Sequence, residues 1–296
     1  MQGYPLHQCG LYAIKSRRQL AARLNRTLNF LLERADKPSI YRVWQESKSS
    51  GGYRTIEAPR DDLKAIQKRI ADLLQRVLAP SFLFSPVKGL SYVENALAHR
   101  GACEVRLLDV TNYFGNCTST SVFKFFSERL KCAPDVAWIL TGLTTRMGHL
   151  PQGSPCSPIL SFYCCQPMWD RINNAVRDAG CVLTVYVDDI TISGPVVKEE
   201  LIWRVKQILH GFGHSHHKKK ERRHFERAAE ITGIMVGPDR LSVPHRHYKK
   251  LLAARMEARL AADESTRIAR LARARSLESQ VQRLGVLLRN ELETRT

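Results

Sequence analysis

The sequence predicts an α+β protein in which short strands and amphipathic helices are intermixed. Three observations carry this. The stretch TVYVDDITIS, Thr184 to Ser193, is the most strand-like in the chain: Val185, Tyr186, Val187, Ile190, Thr191 and Ile192 are β-branched or aromatic. EVRLLDVTNYF, from Glu104, reads as a second apolar strand. Around both run segments whose apolar residues recur at helical spacing. With 296 residues, 44% of them hydrophobic, the chain can bury a large core.

The elements follow in order. Residues 11–34 carry Leu20, Leu24, Leu28, Leu31 and Leu32 on one side of a predicted helix. YRVWQESKSSGGYRTIEAP, from Tyr41, predicts a hairpin turning at Ser49 to Gly52. DDLKAIQKRIADLLQRVL predicts an amphipathic helix with Leu63, Ile66, Ile70, Leu73 and Leu74 as its stripe. A Pro-rich loop around Pro80 and Pro86 precedes the Glu104 strand. Residues 118–147 read as helical, and LPQGSPCSP, Leu150 to Pro158, as a loop opening another helix. A strand pair around Asp188 follows, then a helix over Trp203 to Phe212 and the basic run HSHHKKKERRHF. ITGIMVG and RLSVP read as two short strands, and from Tyr248 onward the pattern is helical. No repeat or low-complexity linker is present.

The charge balance narrows the partner. Forty-six Lys and Arg against 28 Asp and Glu give +18, an excess that points to a polyanion such as nucleic acid. A membrane surface attracts the same charge, but there is no apolar run near 18 residues and no signal-peptide core at MQGYPLHQCG. A soluble protein with no membrane partner is therefore expected. None of the eight cysteines forms a CxxC pair, so no zinc site is expected, and reduced thiols in a cytosol are.

Asp188 and Asp189 stand side by side in the most strand-like segment, although Asp is a poor strand former and adjacent like charges repel. A hard cation, which takes carboxylate oxygens, would offset both penalties. Asp109 ends the other apolar strand, 79 residues earlier. Three carboxylates on two neighbouring strands could hold two Mg²⁺ ions for phosphoryl transfer, one activating a hydroxyl and the other steadying a leaving pyrophosphate. Strand alternation sends adjacent side chains to opposite faces. The expectation is that Asp188 faces the metals with Asp109, while Asp189 supports them from a turn.

Tyr186-Val187-Asp188-Asp189 resembles the YxDD box of reverse transcriptases. Asp109-Val110-Thr111-Asn112-Tyr113-Phe114 resembles their first palm motif, and Leu150 to Pro158 their PQG loop. The likeness runs from about Tyr41 to about Val243. It implies a right-hand polymerase with a ferredoxin/RRM-like antiparallel palm sheet and a helical thumb. The implied divisions are an N-terminal helical region over 1–38, fingers over 39–103 and 118–158, palm over 104–117 and 159–245, and thumb over 246–296. Asp109, Asp188 and Asp189 would be catalytic and, with the Val110 carbonyl, would hold two Mg²⁺, for which Mn²⁺ could substitute. Phe114 would lie under the sugar and exclude a ribose 2′-OH by sterics. Gln152 and Gly153 would touch nucleotide and template, and Arg54 and Lys64 would clamp the triphosphate. One lysine of the HHKKKERR run would protonate pyrophosphate. Lys219 is the choice, with Lys218 and Lys220 competing.

Asn95-Ala96-Leu97-Ala98-His99 fits the NAxxH pattern of retron reverse transcriptases, and Ile231-Thr232-Gly233 sits where they carry VTG. YVDD replaces the YADD of many members. Asn95, His99, Tyr186, Thr232, Gly233, Arg255 and Arg259 are the expected RNA- and primer-binding residues. From Lys249 to Thr296 there are eleven Lys and Arg against six Asp and Glu, and several arginines recur at roughly helical spacing, as a thumb tracking a duplex needs. Leu251, Leu252, Leu260, Leu271 and Leu277 are expected to pack inward. No length is left for an RNase H or integrase domain. The resemblance implies a bacterial cytoplasmic enzyme that takes dNTPs and copies its own structured noncoding RNA from a guanosine 2′-OH into a branched RNA-DNA molecule (msDNA). Host RNase H would trim the RNA, and a separate effector or toxin protein would act with the enzyme in antiphage defence. A different defence or group II intron-like reverse transcriptase, and an RNA-binding scaffold without synthesis, are the competing readings.

Overall fold

The computed structural model describes residues 3–48, 51–237, 241–261 and 263–293. Ser49 and Ser50 of the expected turn, Arg240 and residues 294–296 lie outside the described residues.

The first expected helix is two. Asn25 takes a left-handed conformation, φ 55°, and ends α1 (Arg17–Leu24), while Thr27 caps α2 (Leu28–Leu32) with its hydroxyl. Leu20, Leu24 and Leu31 are buried as expected, but Leu32 is exposed. The hairpin of β1 (Tyr41–Ser47) and β2 (Tyr53–Pro59) forms in the register Tyr41 opposite Pro59. Next comes α3 (Asp61–Leu74), its acidic first turn suited to the helix dipole and its predicted apolar stripe buried. After β3 (Leu83–Ser85), α4 (Tyr92–Leu97) opens with a capping box between Ser91 and Glu94.

β4 (Glu104–Asp109) is followed by the short α5 (Tyr113–Asn116), then α6 (Ser119–Lys124) and α7 (Pro134–Thr144). The single helix expected over 118–147 is thus divided, with a π turn at Phe125–Arg129 and then Pro134 opening α7. The Pro-Gly loop leads to α8 (Ser157–Cys164) and α9 (Gln166–Asp178). The hairpin of β5 (Val182–Tyr186) and β6 (Asp189–Gly194), then α10 (Glu199–Gly211) and β7 (Arg222–Phe225), complete the main sheet.

That sheet has the order β3-β5-β6-β4-β7. It departs from the expected all-antiparallel sheet in one place: β3 runs parallel to β5 at the edge. β4 is held between β6 and β7, and Asp109 ends it, opposite Asp189 and two residues beyond the last pair with β7, Leu107–Arg222. The register is fixed partly by charge. Arg106 lies opposite Arg223, and Glu199 reconciles the two cations by accepting from Arg106 Nη1 at 2.6 Å and from Arg223 Nη1 at 3.4 Å. The fully buried Glu104 pairs with Arg223 Nε at 2.8 Å. A one-residue slip would separate these partners and flip every apolar side chain. The main core, which includes Trp169, Phe125 and Phe126, spans the N-terminal helices, α3, α7, α8, α9 and the sheet.

ITGIMVG is two strands rather than one. β8 (Ala229–Ile231) and β9 (Ile234–Val236) are joined by Thr232 and Gly233, both at positive φ, 44° and 90°. With β10 (Leu241–Ser242) they form a small sheet over a second core shared with α4. The chain then runs through α11 (His245–Arg259) and α12 (Glu264–Glu293), which pack together. Of the leucines expected to face inward here, Leu251 is buried, whereas Leu252 and Leu260 are 59% and 78% exposed and Leu271 is also exposed. Two helices alone offer too little cover for a full apolar stripe. Among the described residues, no helix is long and apolar enough to cross a membrane.

Candidate active site

The β5–β6 hairpin turns on two residues, Val187 and Asp188. Val187 has φ 61°, a conformation that a β-branched side chain rarely adopts and that persists only where the surroundings impose it. The strain has a visible result. Asp188 is raised onto the tip, its carbonyl accepts Val110 N–H at 2.9 Å, and Asp189 becomes the first residue of β6, directly opposite Asp109. The positions differ from the expectation in one respect: the turn residue is Asp188, whose leading charged neighbour is Asp109, and Asp189 is on the strand. Asp189 shares a face with Asp109 by strand pairing.

The three acids crowd one another. Asp109 is buried; Asp188 is half-buried. Burial and then the charge of Asp109 raise the Asp188 carboxyl above its usual range. Asp189 is pushed up to about 7 by the protein packed behind it and then by Asp188 and Asp109. Its outer face is open to solvent, which softens the first cause and leaves the upward direction set by two acidic neighbours. A donor set of three mutually repelling carboxylates is one that a hard divalent cation relieves. Among the described residues no donor reaches the Val110 carbonyl, leaving a fourth oxygen beside them.

One cation does reach the acids. The Lys220 ammonium donates to Asp109 Oδ2, from a 3₁₀ turn at Lys218–Lys220. His217 N–H anchors that turn on the Asp109 carbonyl at 2.8 Å. Lys219, the sequence-based choice, is exposed and has no carboxylate partner among the described residues, and its carbonyl accepts Arg222 Nη1 at 2.6 Å. The three consecutive lysines look alike in sequence, and only the tight turn separates them.

Phe114 follows from β4 by way of Asn112 at φ 49° and stands half-buried, 5.9 Å from the Tyr113 ring. Gln152 and Gly153 dock against the finger-like hairpin: the Gln152 carbonyl accepts Glu57 N–H at 2.6 Å. Gly153, at φ 126°, leaves only 3.1–3.3 Å between a would-be Cβ and Ile56, Glu57 and Ala58, so a side chain has no room there. Glu57, itself buried, also binds Arg146 and accepts from His149 Nε2 at 2.8 Å. Arg54 lies exposed on β2, paired with Glu46 at 2.5 Å, and Lys64 is exposed on α3. Tyr186 is half-buried beside the hairpin tip.

Two expected RNA contacts are corrected. Asn95 and His99 are 0% and 1% exposed, so neither can touch a nucleic acid on the surface described. His99 crosses between the strands of the β5–β6 hairpin, its ring nitrogens 2.7 Å from Thr184 Oγ1 on β5 and 2.7 Å from Ser193 Oγ on β6. Burial lowers its pKa to about 3, so it is neutral. Asn95 Nδ2 donates to Thr232 Oγ1 at 3.2 Å, and the Thr232 hydroxyl donates to the Tyr92 carbonyl at 3.0 Å. The NAxxH and ITG segments are one joint, 137 residues apart in the chain. Gly233 is half-buried in that turn, and Arg255 and Arg259 are exposed on α11, with Arg255 Nη2 2.6 Å from Glu278. Sequence reasoning missed Arg106, Glu57 and Thr184, each signalled only as a polar residue inside an apolar run.

Residues 45–228 match the sequence family described as Reverse transcriptase (RNA-dependent DNA polymerase). Among curated proteins the chain is similar to the Retron Ec86 reverse transcriptase of Escherichia coli, 28% identical over 77% of this chain and 72% of that one. It is also similar to the Retron Se72 reverse transcriptase of Salmonella heidelberg, 27% identical over 67% and 56%, and to the Retron Mx162 reverse transcriptase of Myxococcus xanthus, 26% identical over 68% and 48%. The matched part thus spans about half the length of two of these relatives. The family match covers the main sheet with all three acids. The chain belongs to the reverse transcriptase (RNA-dependent DNA polymerase) family.

Proposed function

We propose that this chain is the RNA-directed DNA polymerase of a retron, copying a structured noncoding RNA into branched RNA-DNA from a guanosine 2′-OH. The observation that supports it most is the placement of Asp109, Asp188 and Asp189 on adjoining strands, with the Lys220 ammonium already on Asp109. In this reading the hairpin, α3 and residues 118–158 are fingers, the five-stranded sheet is the palm, and α11 with α12 is the thumb.

The three carboxylates and the Val110 carbonyl would hold divalent ions, Mg²⁺ by the hardness of an all-oxygen set. Bound there, such ions activate the attacking hydroxyl and neutralise charge on the leaving pyrophosphate. The chain's own side chains supply the rest. Phe114 lies along the route from Asp109 and would exclude a ribose 2′-OH at the incoming sugar. Gly153, held against β2, lets the loop backbone approach the base pair without a side chain between. Arg54 and Lys64 are the exposed cations on the finger side for the triphosphate. We assign proton donation to pyrophosphate to Lys220 in place of Lys219, because its ammonium is the one held at the acids. Tyr186 and the Gly233 backbone would border the primer. Arg255 and Arg259 would follow the duplex backbone. Asn95, His99 and Thr232 act by holding the palm hairpin and the small sheet in place. Retron partners, meaning a separate effector and a host RNase H, belong to this proposal as well.

The test is made on protein purified from cells carrying its native locus. Bound nucleic acid is extracted and treated separately with RNase A, debranching enzyme and DNase. A short DNA whose length shifts on debranching is expected. Unbranched DNA would move the assignment to another bacterial reverse transcriptase, and RNA without DNA would favour a binding scaffold.

A further inference from the structure

Cys117 ends α5, Cys165 lies between α8 and α9, and His214 lies in the loop after α10. All three are buried, at 1%, 7% and 3% exposure. The two sulfurs are 3.7 Å apart, and Cys165 Sγ is 3.3 Å from His214 Nε2. The three donor atoms all lie within 4.8 Å of one another, the one such His/Cys/Asp/Glu group among the described residues. Two sulfurs bound about 2.3 Å from a tetrahedral centre stand roughly 3.8 Å apart, and a bound sulfur and nitrogen roughly 3.5 Å. Two of the three observed spacings match those edges, and the third, between Cys117 and His214, is no more than 4.8 Å. A disulfide would instead need the sulfurs to close to about 2.05 Å. Two thiolates and a neutral imidazole also cancel the charge of a divalent ion, which a buried site requires.

We propose that Cys117, Cys165 and His214 form a structural zinc site buried behind the catalytic cleft. The fourth position suits a water or the Tyr113 hydroxyl, which reaches Cys165 and accepts Trp169 Nε1 at 2.9 Å. The Tyr113 ring packs on the imidazole at 5.5 Å. His214 Nδ1 is buried without a partner, so packing rather than a hydrogen bond orients that ring. The three ligands connect the parts that the cleft depends on. Cys117 is three residues from Phe114, and its carbonyl accepts Leu150 N–H, at the start of the Pro-Gln-Gly loop, at 3.1 Å. His214 is three residues from His217, the anchor of the lysine turn on Asp109. A zinc ion here braces the end of α5, the α8–α9 junction and the loop after α10. It is separate from the divalent ions proposed for the acids, whose ligands are all oxygen.

The experiment needs no catalysis. The full chain is expressed with zinc supplied, desalted, and analysed for metal by atomic emission. The native protein is examined by zinc K-edge X-ray absorption. One zinc per chain is expected, with two sulfurs near 2.3 Å and imidazole nitrogen in its shell. Cys165→Ser should lower zinc content at least tenfold, while Cys103→Ser, outside the cluster, should retain it. If Cys165→Ser fails to fold, the wild-type spectrum decides alone. Less than a tenth of a zinc per chain, a shell with fewer than two sulfurs, or a Cys117–Cys165 disulfide found by mass spectrometry would each overturn the proposal.

Discussion

Replacing His99 with leucine removes the group that ties β5 to β6. Two hydrogen bonds are lost, each contributing about 1 kcal/mol net, and the buried hydroxyls of Thr184 and Ser193 lose their partner. Stranding even one of them adds about 1–3 kcal/mol, so the loss is about 3–5 kcal/mol at neutral pH. The pH dependence separates this cause from simple mispacking. Burial lowers the imidazole pKa in the folded protein to about 3, against its ordinary 6.5. A histidine with a depressed pKa contributes stability that is complete above the unfolded value and is lost as pH falls toward the folded one. At pH 4.5, two units below 6.5, wild type has given up about 2.7 kcal/mol through this group. His99→Leu has no such group to protonate. The gap between the two proteins, measured by urea denaturation followed by circular dichroism, should shrink by about 2–3 kcal/mol between pH 7.5 and 4.5. Carboxylates elsewhere titrate in both proteins and cancel. A gap that stays constant across that range would refute the buried, neutral histidine.

Four further outcomes follow from the same geometry. Asp188→Asn should abolish primer extension on an RNA template while RNA affinity in a filter-binding assay stays within a few-fold; retained synthesis would exclude Asp188 from the metal set. Phe114→Ala should admit ribonucleotides, read as incorporation of rNTPs against dNTPs in single-nucleotide extension, and unchanged selectivity would remove that role. Lys220→Ala should lower the single-turnover rate by about 10²–10³, whereas Lys219→Ala should stay within a few-fold; the opposite order would restore Lys219. Because neighbouring acids raise the Asp188 and Asp189 carboxyls, protons compete with Mg²⁺ at these sites. Apparent Mg²⁺ affinity, titrated by activity, should weaken as pH falls from 8 to 6, and a pH-independent value would contradict the crowded site.

Most of the main sheet was legible because its residues alternate or run apolar with period two, and Asp109, Asp188 and Asp189 interrupt that pattern where they should not. The hairpin of Tyr41 to Pro59 was legible from its Gly-rich turn. What stayed hidden was decided by contacts distant in sequence. The continuous apolar pattern around Leu24 and Leu28 does not announce the left-handed Asn25 that divides it. Thr232-Gly233 reads as strand until Asn95 and the Tyr92 carbonyl hold the threonine. Asn95 and His99 look like surface recognition residues because polar side chains usually are exposed, and here hydroxyl partners satisfy both His99 nitrogens and Asn95 Nδ2, while Asn95 Oδ1 is buried without one. The Cys-Cys-His cluster has no local spacing to betray it, because its ligands are 48 and 49 residues apart.

The position of Asp109, held by one later strand and one later turn, has a consequence for the birth of the enzyme. Its carboxylate meets Asp189 only when β6 has been made, and meets Lys220 only after another stretch of chain, 111 residues from Asp109 itself. At about 5–20 residues per second, a ribosome takes roughly 6–20 s to deliver that lysine after the aspartate. Contacts of such long sequence separation also form late, because loop-closure entropy must be met before they give any return. A nascent chain carrying the Phe114 helix and the Pro-Gln-Gly loop therefore lacks the acid–lysine cluster, which is complete only with the turn that leads into the last strand of the sheet.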